Sequence, residues 1–184
     1  VTTETLDELA AFVGLKDEIA AITARAMNGE LDFEAALTER IGMLAGLAEA
    51  TLAEAYGDVV LSPGAETMVR TMAANGARCV LISGGFKYFT SRVAARAGFH
   101  GEYANDFVIS GGKLTGAVIR PILTKDVKLE TLMAEAAELG IRPDAAMAIG
   151  DGANDLPMIQ AAGLGIAYRG KPVVAQAAPA RIDH

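Results

Sequence analysis

Apolar residues recur at intervals of three and four along residues 1–61, the spacing that places them on one face of an α-helix. No part of this segment alternates between apolar and polar residues as a half-buried strand does. The pattern therefore predicts four consecutive helices, the first capped by Thr2 or Thr3 and the third by Asp32. The apolar stripes are Leu6, Leu9, Ala10 and Val13 in the first helix, Ile19, Ile22 and Ala26 in the second, and Phe33, Leu37, Ile41 and Leu44 in the third, with a fourth helix over about 47–56.

From Ser62 onwards the pattern changes, because short apolar runs alternate with helical periods. Ser62-Pro63 is typical of a helix start, and Gly76 is expected to end that helix. The elements predicted after it are a strand over 78–82, a helix over 86–97, a hairpin of 106–110 and 113–119, a helix over 126–139, a strand over 145–149, a helix over 155–162 and a strand over 164–168. This alternation predicts an α/β fold with a doubly wound, mainly parallel sheet in residues 62–184, after a helical domain in residues 1–61.

Composition narrows the class of protein. Hydrophobic residues make up 52% of the 184 residues and charged residues 21%, which is enough apolar surface for a folded core. A net charge of −7 argues against nucleic acid or an acidic membrane as a partner. Cys79 is the only cysteine, which excludes an internal disulfide and a cysteine zinc site. The sequence has no apolar run of membrane-spanning length and no signal-peptide pattern, so we expect a cytoplasmic protein.

Ser83, Gly84 and Gly85 directly follow the strand that is predicted to end at Ile82. In an open α/β sheet, ligands bind beyond the carboxyl ends of the strands. Two glycines allow the backbone to approach a ligand closely, and free amides at the start of a helix favour a phosphate. An ordinary strand-to-helix turn has the same composition, so these residues alone leave both interpretations open.

A second polar cluster, Gly150-Asp151-Gly152-Ala153-Asn154-Asp155, follows the strand that is predicted to end at Ile149. Two carboxylates and an amide, separated by small residues, suit a hard cation such as Mg²⁺. The alternative is an Asp-Gly turn followed by a helix cap. The metal site is favoured, because six small or polar residues in this order exceed what a cap requires.

Basic residues stand out at two places in the predicted helices. Lys128 lies near the start of one helix, where either a solvated lysine or a phosphate ligand is compatible with the sequence, and Lys125 is an equal candidate by composition. Arg40 falls on the apolar stripe of the third helix. A guanidinium at such a position needs an anionic partner unless its side chain extends to solvent.

Four stretches of the sequence form a recognisable series. They are Glu4-Thr5-Leu6-Asp7-Glu8, Leu81-Ile82-Ser83-Gly84-Gly85-Phe86, Gly112-Lys113-Leu114-Thr115-Gly116 and Gly150-Asp151-Gly152-Ala153-Asn154-Asp155-Leu156-Pro157-Met158. In this order they resemble the phosphoserine phosphatase family of the haloacid-dehalogenase-like superfamily. The resemblance covers essentially the whole chain and implies that residues 1–61 form a small helical cap on a Rossmann-like core.

The resemblance implies Mg²⁺-dependent hydrolysis of O-phospho-L-serine, the last step of serine biosynthesis, through an aspartyl-phosphate intermediate. Lys128 would neutralise the phosphate, and it is preferred to Lys125 because Lys128-Leu129-Glu130 matches the family's Lys-x-Glu. Ser83, Gly84, Gly85 and Asn154 would bind the phosphate or orient water, and Asp151 and Asp155 would serve the metal. In the cap, Glu4 would bind the substrate ammonium and Arg40 its carboxylate, with Met27 and Phe33 closing over it.

The family's nucleophile motif, Asp-x-Asp-x-Thr, does not occur in the 184 residues. The resemblance places it immediately before Val1 and the family's final helix beyond His184. We therefore expect this chain to be part of a longer polypeptide that supplies the nucleophile and the general acid/base.

Two alternatives and the oligomeric state remain open at this point. The protein could act on another small phosphate ester, such as homoserine phosphate, as a phosphatase or phosphotransferase. An inactive binding module that begins at Val1 is disfavoured, because an α/β domain without its first, central strand exposes unpaired edges. A homodimer is compatible with the sequence.

Overall fold

The computed structural model describes residue 1, residues 5–27 and residues 30–183. The chain divides into two compact units, Val1–Ile122 and Leu123–His184. In the part of the chain that the structure describes, no helix is long and apolar enough to cross a membrane. Thr2, Thr3 and Glu4, to which a cap and a substrate contact are assigned above, lie outside the described residues.

The helices of the first unit follow the predicted periodicity. They are α1 (Thr5–Phe12), α2 (Lys16–Met27), α3 (Phe33–Gly42), α4 (Thr51–Gly57), α5 (Ala65–Ala74) and α6 (Lys87–Ala97). Asp32 caps α3 as predicted, because its Oδ2 accepts hydrogen bonds from the amides of Glu34 at 3.0 Å and Ala35 at 3.2 Å. The predicted cap at Ser62 is wrong: α5 begins after Gly64, which adopts a left-handed φ of 79°.

The strands of the first unit form two separate pairs. They are β1 (Val80–Phe86), β2 (Gly101–Asn105), β3 (Phe107–Ser110) and β4 (Lys113–Val118). Strands β1 and β2 are parallel, and β3 and β4 form the predicted antiparallel hairpin. Strand β2 has no counterpart in the prediction, because its sequence GEYAN lacks an apolar run.

The helical segment shares its core with the strands of the first unit. Leu9, Leu37 and Leu52 from α1, α3 and α4 belong to the same hydrophobic cluster as Phe86 and Phe107. The fourth helix begins at Thr51 rather than at 47, because the backbone of residues 47–49 is hydrogen-bonded to the hairpin. The division into a cap of residues 1–61 and a core of residues 62–184 stays a prediction.

The second unit is a three-stranded parallel sheet with helices. Strands β5 (Met147–Gly150), β6 (Leu164–Tyr168) and β7 (Ala180–Ile182) pair in that order. The helices are α7 (Lys125–Glu138), α8 (Leu156–Ala161) and α9 (Pro172–Ala177), with short 3-10 turns at Pro143–Ala145 and Ala153–Asp155. The mainly parallel α/β arrangement is thus confirmed, although the sequence pattern does not predict α9 and β7.

Candidate active site

The end of β1 loops out of the ladder at the predicted phosphate-binding residues. Ile82 pairs with Tyr103 and Phe86 pairs with Asn105, so Ser83, Gly84 and Gly85 together stand opposite Ala104 alone. Such an excess of residues on one strand forms a bulge, which turns backbone groups away from the ladder. We call residues 83–85 the β1 bulge.

Hydrogen bonds fix the peptide between Gly84 and Gly85 on both sides. The Gly85 amide donates to Ser83 Oγ at 3.0 Å, and the Gly84 carbonyl accepts from Asn105 Nδ2 at 2.9 Å. Because the Ser83 oxygen already accepts a bond, its own O–H remains a donor for an anion. The sequence pattern does not single out Asn105, which is only 2% exposed, because a buried amide at the end of a strand without an apolar run has no distinctive signature.

Phe33 lies over the β1 bulge within the first unit. Its ring atom Cζ is 3.6 Å from the position that a Cβ would take on Gly84, and the side chain is 38% exposed. The neighbouring Glu34 forms an ion pair with Arg120 at the end of the hairpin. The structure therefore places an apolar ring beside the predicted phosphate-binding residues, and the role of Phe33 in covering a substrate stays a prediction.

Arg40 is half-buried rather than extended into solvent. Its Nη1 donates to Thr23 Oγ1 at 3.0 Å and its Nε to the Ala36 carbonyl at 3.2 Å. Thr23 in turn donates to the Ile19 carbonyl at 2.9 Å, so the threonine hydroxyl holds the guanidinium in a defined position. The assignment of Arg40 to a substrate carboxylate stays a prediction.

The Gly150–Asp155 loop of the second unit is organised around Asp155. This residue is 4% exposed, and its Oδ2 accepts hydrogen bonds from the amides of Asp151 at 3.1 Å and Gly152 at 3.0 Å. Its Oδ1 accepts from Lys128 Nζ at 2.5 Å. Since Lys128 is itself only 7% exposed, the pair is a buried ion pair, and a freely solvated lysine is excluded.

Close packing requires a glycine at position 150, whereas the contact at Gly152 is with the end of the exposed Asn154 side chain, which can move aside. A Cβ on Gly150 would lie 2.4 Å from Asp155 Cβ, and a Cβ on Gly152 would lie 2.3 Å from Asn154 Oδ1. Contacts below 3.0 Å force a shift of the neighbouring atoms. The absence of a side chain at Gly150 thus lets the Asp155 side chain fold back under the loop.

Asp151 is the exposed carboxylate of the loop, directly after β5. Its carbonyl accepts from the Lys171 amide at 3.0 Å, which ties the loop to the segment after β6. Among the described residues no group of three or more His, Cys, Asp or Glu forms a complete metal site. The donor set is oxygen only, which fits Mg²⁺ in kind, with Asp151 as the accessible ligand.

Both carboxylate oxygens of Asp155 already accept hydrogen bonds from the protein. The metal role assigned to Asp155 stays a prediction. Asn154 is exposed beside it. For Met27, at the end of α2, and for Lys125, the side chains lie outside what the structure describes. The predicted residues Phe33, Arg40, Ser83, Gly84 and Gly85 lie in the first unit, and Lys128, Asp151, Asn154 and Asp155 in the second.

Cys79 lies apart from the β1 bulge. It precedes β1, at the opposite end of that strand from the β1 bulge, and its Sγ lies 3.6 Å from the Val69 carbonyl. Burial raises the pKa of the Cys79 thiol, which lowers the fraction of reactive thiolate at neutral pH.

Comparison with known proteins shows which family the chain belongs to. The model of the haloacid dehalogenase-like hydrolases matches residues 2–160. A phosphoserine phosphatase of Streptococcus thermophilus is 43% identical over 182 residues, which cover 99% of this chain and 85% of that protein. A phosphoserine phosphatase of Streptomyces coelicolor is 41% identical, and there the match covers 98% of this chain but only 44% of the longer relative.

Solved structures agree with the sequence relatives. A substrate-bound phosphoserine phosphatase complex superposes with a TM-score of 0.93 at 34% identity, covering 100% of this chain and 88% of that one. The fold, the buried Lys128–Asp155 pair and the β1 bulge thus occur in a chain whose relatives are phosphohydrolases. The chain belongs to the haloacid dehalogenase-like hydrolases and, within them, to the phosphoserine phosphatases.

Proposed function

We propose that this chain provides the phosphate-binding and metal-binding residues of a phosphatase that hydrolyses O-phospho-L-serine to L-serine and phosphate. The observation that carries the proposal is the Gly150–Asp155 loop, in which a buried lysine and two backbone amides fix Asp155 and leave Asp151 exposed. Phosphoryl transfer depends mainly on positioning and on neutralising charge, which is what this set of residues supplies.

Three groups of this chain bind the phosphoryl oxygens in the proposal. Ser83 donates its hydroxyl, the β1 bulge contributes the amide of Gly84, and Lys128 supplies a positive charge. Lys128 suits this role because Asp155 holds its ammonium in one place, so little reorganisation is needed when charge develops. Asn154 orients the phosphate or the attacking water. No Asp-x-Asp-x-Thr sequence occurs in the chain, so these roles are binding and charge neutralisation rather than nucleophilic attack.

Mg²⁺ is the metal we propose for Asp151. The exposed carboxylate is a hard oxygen ligand, and Asp155 keeps the loop in shape behind it. When bound, the ion neutralises negative charge on the phosphoryl oxygens. Phosphate oxygens and water usually complete the shell of a protein-bound Mg²⁺, which agrees with a loop that offers few carboxylates of its own.

Selectivity for the phosphate ester of an amino acid rests on the helical segment of residues 1–61. Arg40 pairs with the substrate carboxylate and Glu4 with its ammonium, while Phe33 and Met27 cover the substrate. A guanidinium and a carboxylate form a bidentate pair, which distinguishes an amino acid from a plain alcohol phosphate. The contact between Thr23 and Arg40 supports this assignment, because it holds the guanidinium within the protein rather than in solvent. A cytoplasmic location accords with this substrate.

The deciding experiment measures phosphate release by the full-length protein from O-phosphoserine, O-phosphohomoserine and p-nitrophenyl phosphate, with and without EDTA. We expect the highest kcat/KM for phosphoserine, complete loss on chelation, and recovery with added Mg²⁺. A higher kcat/KM for phosphohomoserine than for phosphoserine would contradict phosphoserine as the substrate. Full activity after exhaustive chelation would contradict the need for Mg²⁺.

A further inference from the structure

Asn105 brings a buried side-chain amide to the β1 bulge. It is 2% exposed, at the last position of β2, and its register partner is Phe86, immediately after the bulge. A buried amide costs free energy unless its groups are hydrogen-bonded. In the described structure its Nδ2 donates to the Gly84 carbonyl at 2.9 Å.

The β1 bulge leaves the Gly84 carbonyl without a donor from the neighbouring strand, and the Asn105 side chain supplies one. Because residues 83–85 face only Ala104, the carbonyl of Gly84 has no regular ladder position opposite it. Asn105 takes the place of the missing strand donor. The same peptide is fixed at its other end, where the Gly85 amide donates to Ser83 Oγ. Rotation of this peptide would therefore break both bonds and move the Ser83 hydroxyl.

Asn105 lies in a closely packed part of the first unit. Its ladder partner Phe86 stacks on Phe107, with ring centroids 3.9 Å apart and planes inclined by 6°. Both rings are buried, at 2% and 4% exposure. A side chain in such packed surroundings has little freedom to adopt another rotamer.

We propose that Asn105 is a positioning residue for phosphate binding: its amide orients the Gly84–Gly85 peptide, and through it the Ser83 hydroxyl and the Gly84 amide, toward the phosphoryl oxygens. This inference rests on the proposed role of the bulge as a phosphate-binding loop. Asn105 itself does not touch the substrate in this scheme.

The test replaces the Asn105 amide by a carboxylate of the same shape, which cannot donate a hydrogen bond when it is ionised. In the full-length protein, Asn105→Asp places a carboxylate oxygen against the Gly84 carbonyl. Misplaced oxyanion donors typically cost about 100-fold. We expect inorganic phosphate to inhibit the variant about ten- to 100-fold more weakly. We also expect kcat/KM to fall equally for phosphoserine and p-nitrophenyl phosphate, because both share the phosphate.

The pH profile separates positioning from simple damage. The carboxyl group introduced by Asn105→Asp regains a hydrogen-bond donor when it takes up a proton. We expect the kcat/KM of this variant, relative to the unaltered protein, to recover as pH falls, whereas Asn105→Ala recovers at no pH. The matched control is Asn75→Asp, which exchanges an exposed amide that donates to the Thr71 carbonyl and leaves phosphate inhibition unchanged.

Melting curves show which variants are folded. If Asn105→Asp does not fold, Asn105→Ala decides the matter through its inhibition by phosphate. A folded variant at position 105 whose phosphate inhibition matches that of the unaltered protein overturns the inference. Phosphate inhibition can be followed with p-nitrophenyl phosphate alone, so failure of the unaltered protein to hydrolyse phosphoserine would count against the proposed substrate and not against Asn105.

Discussion

At the scale of single residues, the buried ion pair between Lys128 and Asp155 affects both the stability of the fold and the proposed phosphate-binding site. Each partner is less than a tenth exposed, so neither charge can turn to water when the other is removed. Removing one partner of such a pair typically costs about 3–5 kcal/mol, whereas replacing both is often nearly neutral. The pair therefore gives a stability readout that is independent of turnover.

We expect Lys128→Met to lower the free energy of unfolding by about 3–5 kcal/mol, because Asp155 is left as an uncompensated buried charge. The double variant Lys128→Met/Asp155→Asn should regain most of that stability and still lack phosphatase activity. Urea unfolding and phosphate release on the same preparations measure the two effects. A double variant that recovers activity together with stability would show that Lys128 is structural only.

Arg40 is the residue whose substitution should change selectivity. In the proposed scheme Arg40→Ala removes the charge-assisted pair with the substrate carboxylate, which contributes about 2–4 kcal/mol, so we expect kcat/KM for phosphoserine to fall roughly 30- to 1000-fold. Hydrolysis of p-nitrophenyl phosphate should fall far less, because that ester has no carboxylate. Equal losses on both substrates, together with a lowered melting temperature, would make Arg40 a structural arginine.

Thr23 offers a milder form of the same test. Thr23→Val removes the hydroxyl that accepts from Arg40 Nη1, and a hydrogen bond to a charged group contributes about 1.5–3 kcal/mol. We expect a rise in KM for phosphoserine of roughly tenfold with little change for p-nitrophenyl phosphate. Thr38→Val is the matched control, because Thr38 also donates to a helix carbonyl, that of Glu34. Equal effects of the two variants would contradict the role of Thr23.

At the scale of elements, the helices and the hairpin could be predicted because each contains its own periodicity and its own end signals. Asp32 capping α3 is an example. The short strands β2 and β7 could not, since GEYAN and ARI become strands only by pairing with neighbours distant in sequence. Asn105 escaped prediction for the same reason, because its role depends on the pairing of β2 with β1.

The candidate site could also be predicted only in part. The order of residues in Gly150–Asp155 indicated a metal loop, and the structure places Asp151 at its surface. That Asp155 is bound on both oxygens was not predictable, because the partner Lys128 lies on a different element and only the fold brings them to 2.5 Å. Sequence spacing identifies residue types that suit a ligand but does not show which atoms are already engaged.

The turn from β5 into the loop gives a prediction at this scale. Gly150→Ala should disrupt the turn, because its Cβ would lie 2.4 Å from Asp155 Cβ. We expect loss of phosphatase activity and a clearly lower melting temperature. Gly57→Ala, at the end of α4 where nothing lies within 4 Å of the added Cβ, is the control and should be neutral or slightly stabilising. Comparable melting temperatures for both alanine variants would refute the packing argument.

At the scale of the whole molecule, charge decides how an anionic substrate can bind at all. The chain carries a net charge of −7, which repels a phosphate ester. Lys128 does not offset this by itself, because Asp155 already matches its charge and Asp151 adds a further negative one. A divalent cation at Asp151 would reverse the sign of the loop. Binding of phosphate should therefore depend on Mg²⁺ and not on Lys128 alone.

This dependence can be measured as stability of the whole protein, because a ligand that binds only the folded state raises its melting temperature. At a concentration of about 100 times Kd the stabilisation is about 2.7 kcal/mol. We expect inorganic phosphate to raise the melting temperature of the full-length protein with Mg²⁺ and hardly at all with EDTA. Asp151→Asn should abolish the Mg²⁺-dependent part while leaving the melting temperature without ligands unchanged, since the Asp151 side chain is exposed. An equal shift with EDTA would show that phosphate binding does not depend on a divalent cation, and an unaltered Mg²⁺ response in Asp151→Asn would show that Asp151 does not hold the cation.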